Sequence, residues 1–550
     1  MLSPGFFSKE RIAAPERFNR WRVPPASIAI HLCIGSVYAW SIFNPALVRI
    51  RGVVASSSQD WTLSQVVWVF TVAIVFLGLS AALAGKWLEQ VGPRTVGMVA
   101  GLLWGGGMMI GAVAIWLHQL WLLYLGYGVL GGCGLGLGYV SPVSTLIRWF
   151  PDRRGMAAGM AIMGFGGGAI VATPIQELLM RRFSRNPIYL GTIDTVPVTT
   201  MEGKRFAETY STDSDSASGA STRVEVVALS QSEADQLGNR MLPGIYVVGT
   251  GSVGAAETFF ALGSIYLVII VSASMLYRIP PVGWKPEGWS PDNLSPTSVN
   301  KNKASLISTN QVDADQALKT PQFYLLWIML CFNVTAGIGV LGVAKTMMTE
   351  IFGTALPGIV TGTFAATFVL MTSLFNMIGR FFWASVSDTI GRRNTYFIFF
   401  GAGALLYCLI PWIAWRVSES ATWVWLAAFY AVSMLIFTMY GGGFATIPAY
   451  LADLFGTRFV GAIHGRLLTA WSVAGVLGPV AITALREKSL HNAIADLSKQ
   501  IPSEQFQNAF GAPVSELPIL LKNKTVTISK LLELMPAGTQ DPTPTLYNTT

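Results

Sequence analysis

One arginine raises the chemical question in this chain. In "NMIGRFFWASVSDTIGRR" (376–393) an apolar stretch runs out into a charged turn. Asp388, Arg392 and Arg393 make an ordinary exit into water. Arg380 lies roughly 12 Å further back if the stretch is helical. A guanidinium is planar, always protonated, and matches a carboxylate through two parallel hydrogen bonds. Charges at membrane depth are costly and usually face a cavity. Arg380 is therefore expected to hold a substrate carboxylate near mid-membrane. The alternative is that it caps backbone carbonyls or pairs with the loop at 388. Aromatic residues in other apolar stretches could wall such a site: Tyr38, Trp40, Tyr139, Tyr440, Phe444 and Trp471. Tyrosine hydroxyls donate to a carboxylate while the rings exclude water. Each of these rings alone is more simply read as a lipid or packing contact. Asn333 is polar within an apolar run and either binds substrate or bridges helices.

Composition says what must position these residues. The chain has 550 residues, 52% of them hydrophobic and 12% charged, with a mean hydropathy of +0.51. Soluble domains carry about 25% charged residues, so lipid is the expected solvent. The 56 glycines and 18 tryptophans agree, since glycine lets membrane helices approach closely and tryptophan favours the lipid–water boundary. The net charge of +8 fits basic cytoplasmic loops. No basic run with interleaved aromatics suggests nucleic acid. Cys33, Cys133, Cys331 and Cys408 all lie in apolar stretches without CxxC spacing, so neither a disulfide nor a zinc site is expected. No convergent acid–base or metal set stands out, and the reading is of a non-enzyme without cofactor or metal. The G-x-G spacings in "GGCGLGLG" (131–138), and the glycines of "GFGGGA" (164–169), fit tight helix contact, because a dinucleotide loop needs a strand–helix context.

Apolar runs of about 20 residues span a bilayer. They fall near 26–48, 64–84, 95–116, 119–141, 155–176, 253–277, 322–344, 357–382, 394–415, 422–447 and 460–484. The chain thus divides into an N-terminal segment (1–25), a first helix bundle (26–278) with a polar insert (177–252), an inter-bundle loop (279–320), a second bundle (321–484) and a polar segment (485–550). With the N-terminus cytoplasmic, the short inner loops hold Lys86, Arg94, Arg148, Arg153, Arg154, Arg392, Arg393 and Arg458. The short outer loops hold Arg49, Arg51, Lys345 and Arg416. That bias sets the orientation and puts 177–252 outside.

An internal repeat supports the division. "GKWLEQVGPR" (85–94) matches "ASVSDTIGRR" (384–393), and "WFPDRRGMAAG" (149–159) matches "LFGTRFVGAIHG" (454–465). Pro142 and Pro448 precede the second pair of turns, and Pro174 and Pro479 follow it. Parallel halves related by an axis along the membrane normal are a transporter plan. By that logic a twelfth helix after the 485–550 segment is expected and absent. An odd number of spans is the plainer alternative.

The loops after the second and eighth spans resemble the signature loop of the major facilitator superfamily. "VYAWSIFNP" (37–45), "RWFPDRRGMAAG" (148–159), "PPVGWKPEGW" (280–289), "NVTAGIG" (333–339), "GRFFWASVSDTIGRR" (379–393) and "GGGFATIPAYLADLFGT" (441–457) are together similar to its oxalate/formate antiporter-like family. The resemblance implies an all-α membrane protein of two six-helix bundles, alternating access, and small organic anions as cargo. It raises Tyr139, Tyr440, Phe444 and Trp471 as site positions and matches Arg380 to the family's arginine. In oxalate carriers a lysine of the eleventh helix opposes that arginine, and here Trp471 takes its place. One cation argues for a monocarboxylate such as formate, lactate or pyruvate, since a second carboxylate would sit desolvated and uncompensated. An oxalate or dicarboxylate antiporter is the alternative, and a membrane sensor for such anions is another.

The loops carrying Glu89, Arg94, Asp388, Arg392 and Arg393 are expected to gate the inner side by ion pairing, with plain positive-inside anchoring as the alternative. Glu89 and Gln90 depart from the usual signature. Lys345 and Glu350 read as a solvated pair. His464 reads as an interfacial residue that would otherwise suit proton coupling. A proton or counter-anion is the expected co-substrate, and a monomer in the bacterial inner membrane the expected setting.

Overall fold

The structure is a computed structural model. It describes residues 12–550 apart from 16, 151–153, 211–220, 237–240, 282–283, 285, 287–311, 457–458, 537 and 550. The central part of the inter-bundle loop and the stretch "STDSDSASGA" therefore lie outside the described residues.

Among the described residues, eleven helices are long and apolar enough to cross a membrane. In chain order they are α1 (Arg20–Ile42), α2 (Leu63–Ala84), α3 (Pro93–Trp116), α4 (Leu120–Val143), α5 (Gly159–Phe183), α6 (Ala255–Met275), α7 (Pro321–Phe352), α8 (Gly362–Ser387), α9 (Arg392–Glu419), α10 (Trp423–Phe455) and α11 (Gly461–Ser498). Their apolar windows are only partly covered by protein, with 22% of the α9 window buried and 61% of the α11 window. That leaves broad apolar surface for lipid. Helix α2 starts on a capping box between Thr62 and Gln65, which satisfies two end groups reciprocally.

The sequence repeat is also a repeat of backbone events. The helices containing α2 and α8 stop at Gly92 and Gly391, with φ of 84° and 89°. Each amide donates back four residues, to Leu88 and Ser387. Glycine takes positive φ without the Cβ penalty. Prolines 142, 174, 448 and 479 lie inside helices, where each removes a backbone donor. Helix α5 is interrupted between Gly166 and Gly168, and α11 between Leu467 and Thr469. Close approaches repeat too. A Cβ on Gly168 would meet Gly35 backbone at 2.2 Å, and one on Gly478 would meet the Thr335 carbonyl at 2.1 Å. So α5 lies against α1 as α11 lies against α7.

Several spans differ from the sequence reading, among them α7, which runs eight residues past 344 to Phe352. Helix α1 tightens to a 3-10 helix over Ser36–Ile42, which rotates its side chains relative to an α-helix. The helix containing α10 runs eight residues past 447 to Phe455. Helix α11 extends to Ser498 because "EKSLHNAIADLS" keeps helix formers and buries Ile494 and Leu497.

The 177–252 insert builds a five-stranded antiparallel sheet, ordered β1 (Tyr189–Gly191), β5 (Gly244–Val247), β4 (Ser221–Leu229), β3 (Lys204–Tyr210), β2 (Val198–Met201). Alternation along β4 sends Val226 and Ala228 to one core with Ala207 and Ile245. Val227 and Leu229 go to the other, with Val54 and Tyr246, as the period of two requires. The sheet edge meets the segment after α11: Thr200 donates to the Phe510 carbonyl at 2.9 Å, Arg205 to Ala509 at 2.9 Å, and Asn523 to Glu202 at 2.7 Å.

The glycine contacts make a direct test. Gly478→Ala is expected to destabilise the fold by about 1–3 kcal/mol through overpacking. Gly401→Ala, with nothing within 4 Å of the added methyl, is expected to leave the melting temperature unchanged or slightly raised. Thermal unfolding of the two variants in detergent reads the difference.

Candidate functional site

Arg380 sits on α8 and is 1% exposed. Its Nε donates to Asn376 Oδ1, one turn earlier, at 3.1 Å. Its Cζ lies 5.2 Å from the centre of the Phe444 ring. Neither terminal nitrogen, Nη1 or Nη2, has a hydrogen-bond partner among the described residues. The side chain thus neither caps carbonyls nor pairs with the loop at 388. The hydroxyls of Tyr38 and Tyr139 lie beside the guanidinium.

An aromatic box from both halves surrounds it. Trp471 on α11 is fully buried and packs on Phe444 at 4.6 Å, Phe165 at 5.4 Å, Tyr139 at 5.8 Å and Tyr38 at 6.3 Å between ring centres. The hydroxyls of Tyr38 and Tyr440 are 3.1 Å apart and join α1 to α10. Tyr440 also packs on Phe444 at 5.4 Å. Arg380, Trp471, Tyr139, Tyr440, Phe444 and Tyr38 are therefore brought together. Asn333 is not part of the ring cluster. It is half-buried against Gly443 on α10, where an added Cβ would meet its Oδ1 at 2.0 Å. Trp40 turns away to Tyr127 and Phe43 inside the first half.

The box is rich in donors that lack acceptors. Arg380 Nη1 and Nη2, Tyr139 Oη, Trp471 Nε1 and Asn376 Nδ2 are all buried and unpartnered among the described residues. An unsatisfied buried donor costs about 1–3 kcal/mol, more when charged. A small anion would satisfy several of them at once.

Several side chains that line or adjoin the box were missed in the sequence. Gly166, at the break in α5, leaves room for the guanidinium: a Cβ there would lie 2.7 Å from Nε. Ser373 fixes that break by donating to the Gly166 carbonyl at 2.5 Å. Phe165 was read only as part of a glycine string. His31, on α1, is fully buried between α4 and α5. Its signal is an imidazole set in the apolar stretch "SIAIHLCIG".

Other charged residues part from their expected roles. Lys345 is buried and pairs with Glu177 of α5, not with Glu350. Glu350 instead binds Arg486 of α11 and accepts from the Tyr547 hydroxyl at 2.8 Å. The solvated Lys345–Glu350 pair is therefore replaced by two partly buried ion pairs, one between the halves and one within the second. Sequence spacing suggested a same-helix pair, but helix packing faces the two side chains to different neighbours. Asn44 Nδ2 donates to the Gly342 carbonyl at 2.8 Å and adds a second link between halves at that level. His464 is buried, 6% exposed. Among the gate residues, the side chains of Glu89 and Asp388 lie outside the described residues. Arg94 donates to the Tyr277 carbonyl at 3.3 Å. Arg392 reaches Asp453 at 3.4 Å, and Arg393 stacks over Phe397 at 5.3 Å. These three contacts are each within one half.

Residues 32–193 and 235–479 match the family model described as Major Facilitator Superfamily. The chain belongs to the Major Facilitator Superfamily. Its members are transporters, and two relatives match this one over most of their length. It is 24% identical to the oxalate:formate antiporter of Oxalobacter formigenes, covering 84% of this chain and 83% of that protein. It is 22% identical to apicoplast pyruvate carrier 1 of Toxoplasma gondii, covering 82% and 81%. The solved bacterial homolog of the human lysosomal transporter Spinster shares the major facilitator fold with a TM-score of 0.52, at 11% identity, over 94% of this chain and 93% of that one. The resemblance to oxalate/formate antiporter-like carriers read from the motifs agrees with the first relative.

The box predicts a remote effect on its cation. Gly166→Ala should displace the guanidinium at a cost of about 1–3 kcal/mol, lowering anion affinity about tenfold or more. Titrating tryptophan fluorescence with formate, lactate and pyruvate measures it. Unchanged affinity for each anion that binds would show that Gly166 does not position Arg380.

Proposed function

We propose that the protein carries a small monocarboxylate through the membrane by alternating access, with the carboxylate held on Arg380. The observation that carries this reading is a buried guanidinium whose two terminal nitrogens find no acceptor among the described residues, beside Tyr139 and Trp471 donors in the same state. A carboxylate accepts two parallel hydrogen bonds from such a fork. The rings of Tyr38, Tyr440, Phe444 and Trp471 exclude water and strengthen the pairing. They come from both halves, so rocking of one half against the other would open the box to either side.

The cargo class follows from charge count. Arg380 is the cation of the box, and Lys345 is committed to Glu177. Trp471 stands where the resemblance puts a lysine in oxalate carriers. One carboxylate is compensated and a second is not. A relative named as a pyruvate carrier supports a monocarboxylate. A relative named as an oxalate:formate antiporter keeps dicarboxylate exchange as the second reading. Basic residues concentrated on one set of loops support a cytoplasmic N-terminus, which puts the sheet outside the cell membrane. On that orientation Lys345–Glu177 closes the outer side. The loops with Glu89, Arg94, Asp388, Arg392 and Arg393 serve the inner gate.

Uptake into proteoliposomes tests the reading with formate, lactate, pyruvate and oxalate in parallel. Wild-type protein is expected to move a monocarboxylate in preference to oxalate. Arg380→Gln should lower that uptake at least about 30-fold, given the roughly 2–5 kcal/mol lost when one partner of a buried charge pair is removed. Preference for oxalate would favour the dicarboxylate reading. Undiminished uptake by the variant would remove Arg380 from the mechanism.

A further inference from the structure

His31 holds a position that the anion site alone does not explain. It is fully buried on α1. Its Nδ1 faces the Ala161 carbonyl of α5, and its Nε2 faces the Tyr139 carbonyl of α4 at 3.1 Å. Both partners are acceptors only. A neutral imidazole has one N–H and one lone pair, so it can serve one of these carbonyls and must turn a lone pair toward the other. Only the doubly protonated ring donates to both. An added proton on the ring would therefore find an acceptor already facing it.

The ring also touches the anion box. Its centre is 5.4 Å from that of Tyr139 and 6.3 Å from that of Phe165. Tyr139 is shared: its carbonyl faces His31, and its ring packs on Trp471. The charge of Arg380 on α8 is felt at His31. The other titratable groups on the elements around it are Tyr139 on α4, Cys33 and Tyr38 on α1, Tyr266 on α6 beside Ser36 and Cys33, and, past the end of α6, Tyr277 beside Ser27. The groups contacting it from α5 are the Ala161 carbonyl and Phe165, neither titratable. No carboxylate among the described residues acts on it. With the box empty, an imidazolium would face an uncompensated guanidinium in a low-dielectric site. A carboxylate on Arg380 would remove that repulsion.

We propose that His31 is the proton-binding residue of this carrier, taking a second proton when a monocarboxylate occupies Arg380, so that one anion and one proton cross together. The inference rests on the monocarboxylate reading of the Arg380 site. The proton comes from water on the side to which the box is open and adds to the free lone pair of the ring. It returns to water on the other side after the anion leaves. Coupling is reciprocal: if the anion favours protonation by some factor, the proton favours anion binding by the same factor.

Two measurements test it. In the first, purified wild-type protein in weakly buffered detergent solution receives formate, lactate or pyruvate, and a pH indicator counts protons taken up. About one proton per bound anion is expected. His31→Gln, whose amide offers a donor and an acceptor but gains no proton, should still show saturable quenching of tryptophan fluorescence by the anion with no proton uptake. Anion binding without proton uptake in the wild type overturns the His31 proposal and leaves the Arg380 reading intact. Proton uptake that persists in His31→Gln also overturns it. No binding of any of the three anions to wild-type protein defeats the Arg380 reading itself, and His31 falls with it. In the second measurement, wild-type proteoliposomes are given an inward proton gradient. Concentrative uptake at least tenfold above that without a gradient is expected. Counterflow of the same anion with no response to the gradient overturns coupling, whether or not the variant folds.

Discussion

A permanent positive charge held away from water, with an acceptor on only one of its nitrogens, is costly to maintain. Taking a guanidinium-sized ion out of water costs several kcal/mol even after relaxation. Arg380, buried on α8, meets that condition among the described residues. Its Nε is tied to Asn376, its face lies on Phe444, and the break at Gly166 leaves the space it occupies. Phe444 contributes a cation–π attraction of about 0.5–2 kcal/mol, which offsets only part of the desolvation. A group so placed is fixed in position and left electrostatically incomplete. On the proposed function, the missing component is the substrate carboxylate.

The repeat explains how such a centre is built from two halves. Helices α5 and α11 are equivalent in the repeat, and each is interrupted where it passes the box. One break brings Gly166 to the guanidinium, and Phe165 beside it packs on Trp471, three residues past the other break. Proline at equivalent places in α4 and α10 removes a backbone donor near Tyr139 and Phe444. Between the halves the links near the sheet are polar: Lys345 to Glu177, and Asn44 to the Gly342 carbonyl. Polar links of this kind would exchange for water if the halves parted. Glycine contacts cross between the halves as well: a Cβ on Gly78 of α2 would meet the Leu468 carbonyl of α11 at 2.6 Å.

How much of this was legible in the sequence follows from the physical range of each signal. The eleven spans were legible because apolar length is a local property, and the α10 and α11 ends were not, because helix formers continue past the apolar run. Arg380 was legible because a charge stands out against an apolar stretch. Trp471, Tyr139, Tyr440, Phe444 and Tyr38 gained their place from motif resemblance, and their contacts required the fold. Asn376 and Gly166 were hidden because their roles depend on facing one particular side chain. Lys345 was assigned to Glu350 because sequence proximity gives no hint of α5. The β-branched alternation in "STRVEVVAL" pointed to extended pieces, yet their closure into one sheet against the segment after α11 is a long-range event.

The central claim is that Arg380 receives a carboxylate, and a structure of the protein determined with a transported monocarboxylate bound tests it most directly. The account predicts density for a planar anion with its two oxygens within hydrogen-bond distance of Arg380 Nη1 and Nη2, enclosed by Tyr139, Phe444 and Trp471. An anion resolved elsewhere, with the Arg380 guanidinium paired to a protein carboxylate or turned toward lipid, would contradict it.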